Sequence, residues 1–151
     1  MLKAGSRAPY FMLACAVIGM ADAYYVAQAS YTGRPLWCAI LEGCNIVVQS
    51  PYARLFGVQA SYIGLAFYVH MFGLAALLAF DPLSRGLRLG ALVYAAAGVC
   101  YSGYFAYLQL VAIRAACLYC LISAVLTVLL FIAALRHVSA ARVPVAGGGV
   151  R

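Results

Sequence analysis

Apolar positions in this chain do not alternate with polar ones at the period of an amphipathic helix or strand; they run on without interruption. Four stretches, residues 10–29, 61–80, 87–113 and 115–135, are almost continuously apolar. Each reaches the ~20 residues a helix needs to cross the hydrocarbon core of a bilayer. In lipid a chain must satisfy its own backbone N–H and C=O groups, so such stretches are read as helices. They occupy most of the 151 residues and leave no room for a separate soluble domain. The pattern predicts an all-α integral membrane protein, a four-transmembrane-helix bundle over residues 1–136. Residues 137–151, ending in Val-Pro-Val-Ala-Gly-Gly-Gly-Val-Arg, read as a disordered cytoplasmic tail.

The polar breaks are short except one. Residues 30–60 form a loop that begins with a turn, Tyr31-Thr32-Gly33-Arg34-Pro35. Ser50-Pro51 reads as a helix start, with Ser50 as cap and Pro51 at the first helical position. A short helix over residues 52–56 is expected there, ended by Gly57, with Leu55, Phe56 and Val58 at the membrane surface over the bundle's mouth. The first apolar stretch is read as a retained helix. It contains Asp22, and no Ala-x-Ala site followed by polar sequence comes after it.

Composition strengthens this picture. The chain is 68% hydrophobic and 9% charged, with a mean hydropathy of +1.01, which excludes an ordinary soluble domain. The net charge of +7 comes from ten Lys and Arg scattered around the apolar stretches. No basic stripe tracks a phosphate backbone, so the charge is read as topology and attraction to anionic lipid, not nucleic acid. Lys3, Arg7, Arg85, Arg88, Arg136, Arg142 and Arg151 fall on the side of the termini; Arg34, Arg54 and Arg114 fall on the other. The positive-inside rule then places the termini in the cytoplasm and the loop over residues 30–60 on the periplasmic, or extracytoplasmic, face of the inner (plasma) membrane.

The chemistry resides in cysteines. Cys38 and Cys44 sit in the long outer loop, and Cys117 and Cys120 form a Cys-x-x-Cys motif opening the fourth stretch. Both pairs fall on the outward side, where disulfides persist. Cys117 follows Arg114 at a helix start, and both the backbone N–H groups and the guanidinium would favour its thiolate, the attacking species in disulfide exchange. Cys120, one turn deeper, would meet an acceptor dissolved in the bilayer first. The loop closed by Cys38 and Cys44 is too small for a stability staple and suits a shuttle. A zinc site fits poorly, since one spacing is x5 and the other pair starts a membrane helix. Cys15 and Cys100 read as apolar fillers.

Asp22 and His70 are ionisable groups at membrane depth. Asp22 pairs with His70, carries a proton released by thiol oxidation, faces water near the outer mouth or bonds a neighbouring hydroxyl; the sequence leaves these open. His70 reads as mainly structural. Tyr24, Tyr25, Tyr101, Tyr104, Tyr107 and Tyr119 are candidates either for a quinone cavity or for an interfacial belt.

The ordered set Cys38-x5-Cys44-Asn45, Ser50, Phe56-Gly57-Val58, Ser61-x2-Gly64-x3-Tyr68 and Cys117-Leu118-Tyr119-Cys120 resembles the vitamin K epoxide reductase (VKOR) family over nearly the whole chain. The resemblance implies a quinone (ubiquinone or menaquinone) held in the helix bundle under the cysteine loop, with Ser50, Phe56, Ala60, Tyr119 and Cys120 as its contacts. It implies that Cys38 exchanges with a separate DsbA-like thioredoxin-fold protein. Cys44 then passes electrons to Cys117 through a transient interloop disulfide, and Cys120 reduces the quinone drawn from the membrane pool. Ser50 matches the family's loop serine. Ala60 stands where vertebrate enzymes carry a quinone-bonding Asn, Ala124 where they carry a Tyr, and Gln59 where bacterial relatives often carry Pro. These departures fit a bacterial quinone reductase that makes disulfides, with its thiol partner on another chain. The rival reading is a non-catalytic four-span protein braced by disulfides; a transporter has no inverted repeat to support it.

Overall fold

The computed structural model describes residues 7–38 and 43–140. Its elements are α1 (Ala8–Thr32), α2 (Cys44–Gln49), a single 3-10 turn (Pro51–Ala53), β1 (Arg54–Leu55), β2 (Val58–Gln59), α3 (Ala60–Phe80), α4 (Arg85–Tyr107), a π-helical turn (Leu108–Ile113) and α5 (Leu118–Ala140). Four helices are long and apolar enough to span a membrane: α1, α3, α4 with its π turn, and α5. The expected spans are present, most of them running further than the apolar pattern. α1 gains a turn at its outer end because Gly33 takes the left-handed cap (φ 67°) and donates its N–H to the Ala29 carbonyl. α5 begins at Leu118, not Ala115, and runs to Ala140. Residues 137–140, expected in the tail, are therefore helical, and the remainder of that tail lies outside the described residues.

α1 packs most extensively against α3 and α4 against α5, with α1 also meeting α5 and α3 meeting α4. The interior is built from Met12, Tyr68, Met71, Leu78 and Leu130, filled between by alanines and Cys15. Small residues let the helix backbones approach closely, which is how membrane helices gain contact without a hydrophobic drive between them. The outer faces stay apolar: Val93, Leu110, Val125 and Leu77 are exposed on them. Cys15 is buried in the core, as expected of a filler, whereas Cys100 is exposed on α4 and fills no interior gap.

Across the end of the bundle opposite the start of α1 and the end of α5 lies the loop cap, and here the sequence reading needs correction. No helix forms over residues 52–56. The chain instead makes one 3-10 turn and a two-stranded antiparallel hairpin pairing Arg54 with Gln59 and Leu55 with Val58. Its apex, Phe56-Gly57, has positive φ at both residues (51° and 83°), the backbone a two-residue hairpin of this twist requires. Ser50 does stand at the N-cap position of that 3-10 turn, with Pro51 first in it, but its side chain makes no capping bond: its hydroxyl donates back to the Val47 carbonyl at 2.7 Å, at the end of α2. The cap's helix is α2, which begins at Cys44 itself. Gln59 ties the hairpin down by donating to the Val48 carbonyl (2.9 Å) and the Ser30 hydroxyl (3.3 Å).

Candidate active site

All four paired cysteines gather at one end of the bundle. Cys44 and Cys117 are both completely buried in a single cluster with Val26, Leu36 and Val47, and Cys38 and Cys120 pack against it. Cys38 and Cys44 are joined by a disulfide, whereas Cys117 and Cys120 are free thiols. Two local devices bring the loop pair onto the helix pair. Gly43, immediately before Cys44, lies so close to the segment entering α5 that a Cβ there would sit 2.6 Å from the Ala116 carbonyl oxygen. Asn45 clamps the segment leading to Cys38: its Oδ1 accepts from the Leu36 N–H at 2.8 Å, and its Nδ2 donates to the Leu36 carbonyl at 3.3 Å.

Cys117 is set by α4 as well as α5. The π turn ends at Arg114 in a left-handed conformation (φ 54°), which turns the chain sharply into α5. Within that turn Gln109 is buried, and its Oε1 accepts the Cys117 backbone N–H at 2.9 Å. A hydrogen bond with the Cys120 thiol holds the Cys117 thiol below its usual range, helped by the backbone N–H groups of Cys120 and Tyr119; burial and the Asp22 charge act against it. The expected guanidinium contribution is absent: Arg114 is exposed and the helix N-terminus with Cys120 does the work assigned to it.

Below the cysteines the bundle encloses a cavity of about 330 Å³. Cys120 and Tyr119 form part of its wall, as do Ala60 and Ser61 at the start of α3, Asp22 from α1, and Tyr101 from α4. Three of the expected contacts therefore line it: Ala60, Tyr119 and Cys120. Two do not. Phe56 is 97% exposed at the hairpin tip, and Ser50 lies in the cap, spent on the Val47 carbonyl. Of the candidate tyrosines, Tyr101 and Tyr119 face the cavity; Tyr25 instead meets the Tyr119 ring at a tilt of 46°, ring centroids 5.1 Å apart.

Several lining residues were not picked out as contacts by the sequence. Ser61 is the foremost, because its buried hydroxyl oxygen has no hydrogen-bond partner among the described residues. Phe67 and Tyr94 stack at 5.1 Å and supply a flat wall. Tyr68 closes the cavity toward α5 by sharing hydrogen bonds with the Ser123 hydroxyl (2.8 Å) and carbonyl (2.9 Å). Asp22 and His70 both line the cavity without forming an ion pair; the His70 Nδ1 is bonded to the Ala66 carbonyl of its own helix at 2.8 Å.

One further bond joins cap and bundle. The hydroxyl of Tyr119, which lies between Cys117 and Cys120 in sequence, donates to the Trp37 carbonyl at 2.7 Å, one residue before Cys38.

Comparison with known proteins agrees with this arrangement. The vitamin K epoxide reductase family profile matches residues 10–135. The thiol-disulfide oxidoreductase LTO1 of Arabidopsis thaliana is 32% identical over 126 residues, covering 79% of this chain and 34% of that protein. The chain thus spans about a third of that relative's length. A family match running from the first span to the last, on a four-helix membrane bundle carrying two cysteine pairs at one end, places this chain in the vitamin K epoxide reductase family.

Proposed function

We propose that this protein is a membrane thiol oxidase that takes electrons from a thioredoxin-fold dithiol protein and delivers them to a quinone. The observation that carries the reading is the shared burial of Cys44 and Cys117, with Cys120 opening onto the cavity on the far side. The name of the LTO1 relative, a thiol-disulfide oxidoreductase, points the same way.

The steps balance as thiol-disulfide exchanges. A partner thiolate attacks Cys38, and the Cys38–Cys44 bond breaks with Cys44 leaving as thiolate. Cys44 attacks Cys117 of an oxidised Cys117–Cys120 pair, forming a Cys44–Cys117 bond and freeing Cys120. The partner's second thiol then releases Cys38, which attacks Cys44 and frees Cys117. The partner leaves oxidised, and two electrons rest on the Cys117–Cys120 dithiol. The joined Cys38–Cys44 pair and the free Cys117 and Cys120 thiols support this reading.

A quinone, when bound, supplies the two-electron acceptor that restores the Cys117–Cys120 bond. The cavity suits such a group: its walls are aromatic and apolar, and the unpartnered Ser61 hydroxyl offers a donor for a carbonyl oxygen beside Ala60, which has none. In the proposed topology the cap faces the extracytoplasmic side, where disulfides accumulate.

The test uses purified protein in lipid nanodiscs with a reduced thioredoxin-fold protein and either ubiquinone or menaquinone. Dithiol oxidation is expected to require quinone and to vanish in Cys120→Ala while that variant stays folded. Oxidation that proceeds without quinone, or survives in Cys120→Ala, contradicts the proposal.

A further inference from the structure

Oxidising a dithiol to a disulfide releases two protons, and nothing in the cysteine relay says where they go. The cavity wall contains one carboxyl group, Asp22 of α1, and it shares that wall with Cys120. Asp22 sits one helical turn inward of Val26, which packs in the same cluster as Cys44 and Cys117. No Lys or Arg lines the cavity, and among the described residues Asp22 has no ion-pair partner. The facing groups are Tyr68 and His70 from α3, Tyr94 and Tyr101 from α4, and Tyr119 and Cys120 from α5. His70 is engaged with Ala66 and Tyr68 with Ser123, so neither is committed to Asp22. A carboxyl group left unpaired in an apolar bundle is costly, and such groups mark proton pathways in membrane proteins.

We infer that Asp22 is the proton carrier of the oxidation step, receiving the thiol proton of Cys120 and passing it to the acceptor oxygen in the cavity. The inference rests on the quinone reading above. Two S–H bonds break and the Cys117–Cys120 bond forms. Two electrons and two protons end on the acceptor: the Cys120 proton arrives through the Asp22 carboxyl, which is regenerated each turn, and the second is taken from solvent, which in turn receives the Cys117 proton. The Cys117 proton takes no part in this path.

Two readouts test this, one of them without any quinone. Infrared difference spectra between the disulfide and dithiol states of the quinone-free protein are expected to contain a carboxylic acid C=O band that Asp22→Asn removes. With quinone present, Asp22→Asn is expected to lower turnover roughly 100-fold, the scale of general acid–base catalysis, and Asp22→Glu to recover most of it. Should Asp22→Asn fail to fold, Asp22→Glu still decides, because a displaced carboxyl must shift both the band and the pH–rate profile. A spectrum without the band, or an Asp22→Asn protein with native turnover and pH profile, overturns the inference. A native protein that shows the band yet reduces no quinone refutes the quinone reading while upholding Asp22 as the proton partner of the thiols.

Discussion

Cys117 and Cys120 are three residues apart and differ in almost every physical respect. Cys117 is sealed between cap and bundle, with its backbone N–H taken by Gln109 and its sulfur facing the helix N-terminus. Cys120 is part of the cavity wall. The lowered Cys117 thiol owes most to its hydrogen bond with Cys120, so Cys120→Ala should raise it. The alkylation rate of Cys117, followed against pH after opening the cap with dithiol, should then rise at higher pH in Cys120→Ala than in the native protein. An unmoved profile would assign the acidity to the helix end alone. At the cavity, Ser61→Ala removes one neutral donor, a change of about 0.5–1.5 kcal/mol, or roughly a 2- to 10-fold rise in KM for quinone with kcat retained. Measuring KM and kcat separately checks it, and an unchanged KM would remove Ser61 from the site.

The elements that position these residues were only partly legible in the chain. The four spans were, because uninterrupted apolar sequence has one solution in lipid. α2 was not: Ile46, Val47 and Val48 are β-branched and disfavour helix locally, so its six residues form through the burial of Cys44 and Val47. The hairpin was missed because Ser50-Pro51 carries a strong helix-start signature, whereas Phe56-Gly57 is an unusual pair for a tight turn. The π turn left no trace in the apolar pattern, which runs through residues 108–113 unchanged. It nonetheless delivers Gln109 to Cys117. Gln109→Leu would leave the buried Cys117 N–H unpaired, a loss of about 1–3 kcal/mol, seen as a lower Tm and slower transfer to Cys117. Native Tm and native transfer would show that another acceptor takes over. Gly43→Val should be harsher, since its side chain meets the backbone at Ala116 and must lift Cys44 from Cys117.

At the scale of the whole molecule, an even number of spans puts the two cysteine pairs at one end and the start of α1 and the end of α5 at the other. That much followed from the order of apolar stretches, and the cluster of all four sulfurs bears out their grouping. The cavity contacts were less accessible, because which face of a uniformly apolar helix looks inward is decided by neighbours that the sequence does not number. If the cap is extracytoplasmic, a membrane-impermeant maleimide should modify reduced Cys38 in intact cells; labelling only after permeabilisation would reverse the topology. The most direct measurement addresses the relay. In Cys38→Ala the freed Cys44 should attack the quinone-oxidised Cys117–Cys120 pair and have no partner to displace it. Non-reducing peptide mapping by mass spectrometry should then find a Cys44–Cys117 disulfide with Cys120 as a thiol. A Cys38→Ala protein holding only Cys117–Cys120, with Cys44 reduced, would contradict electron transfer between the two pairs.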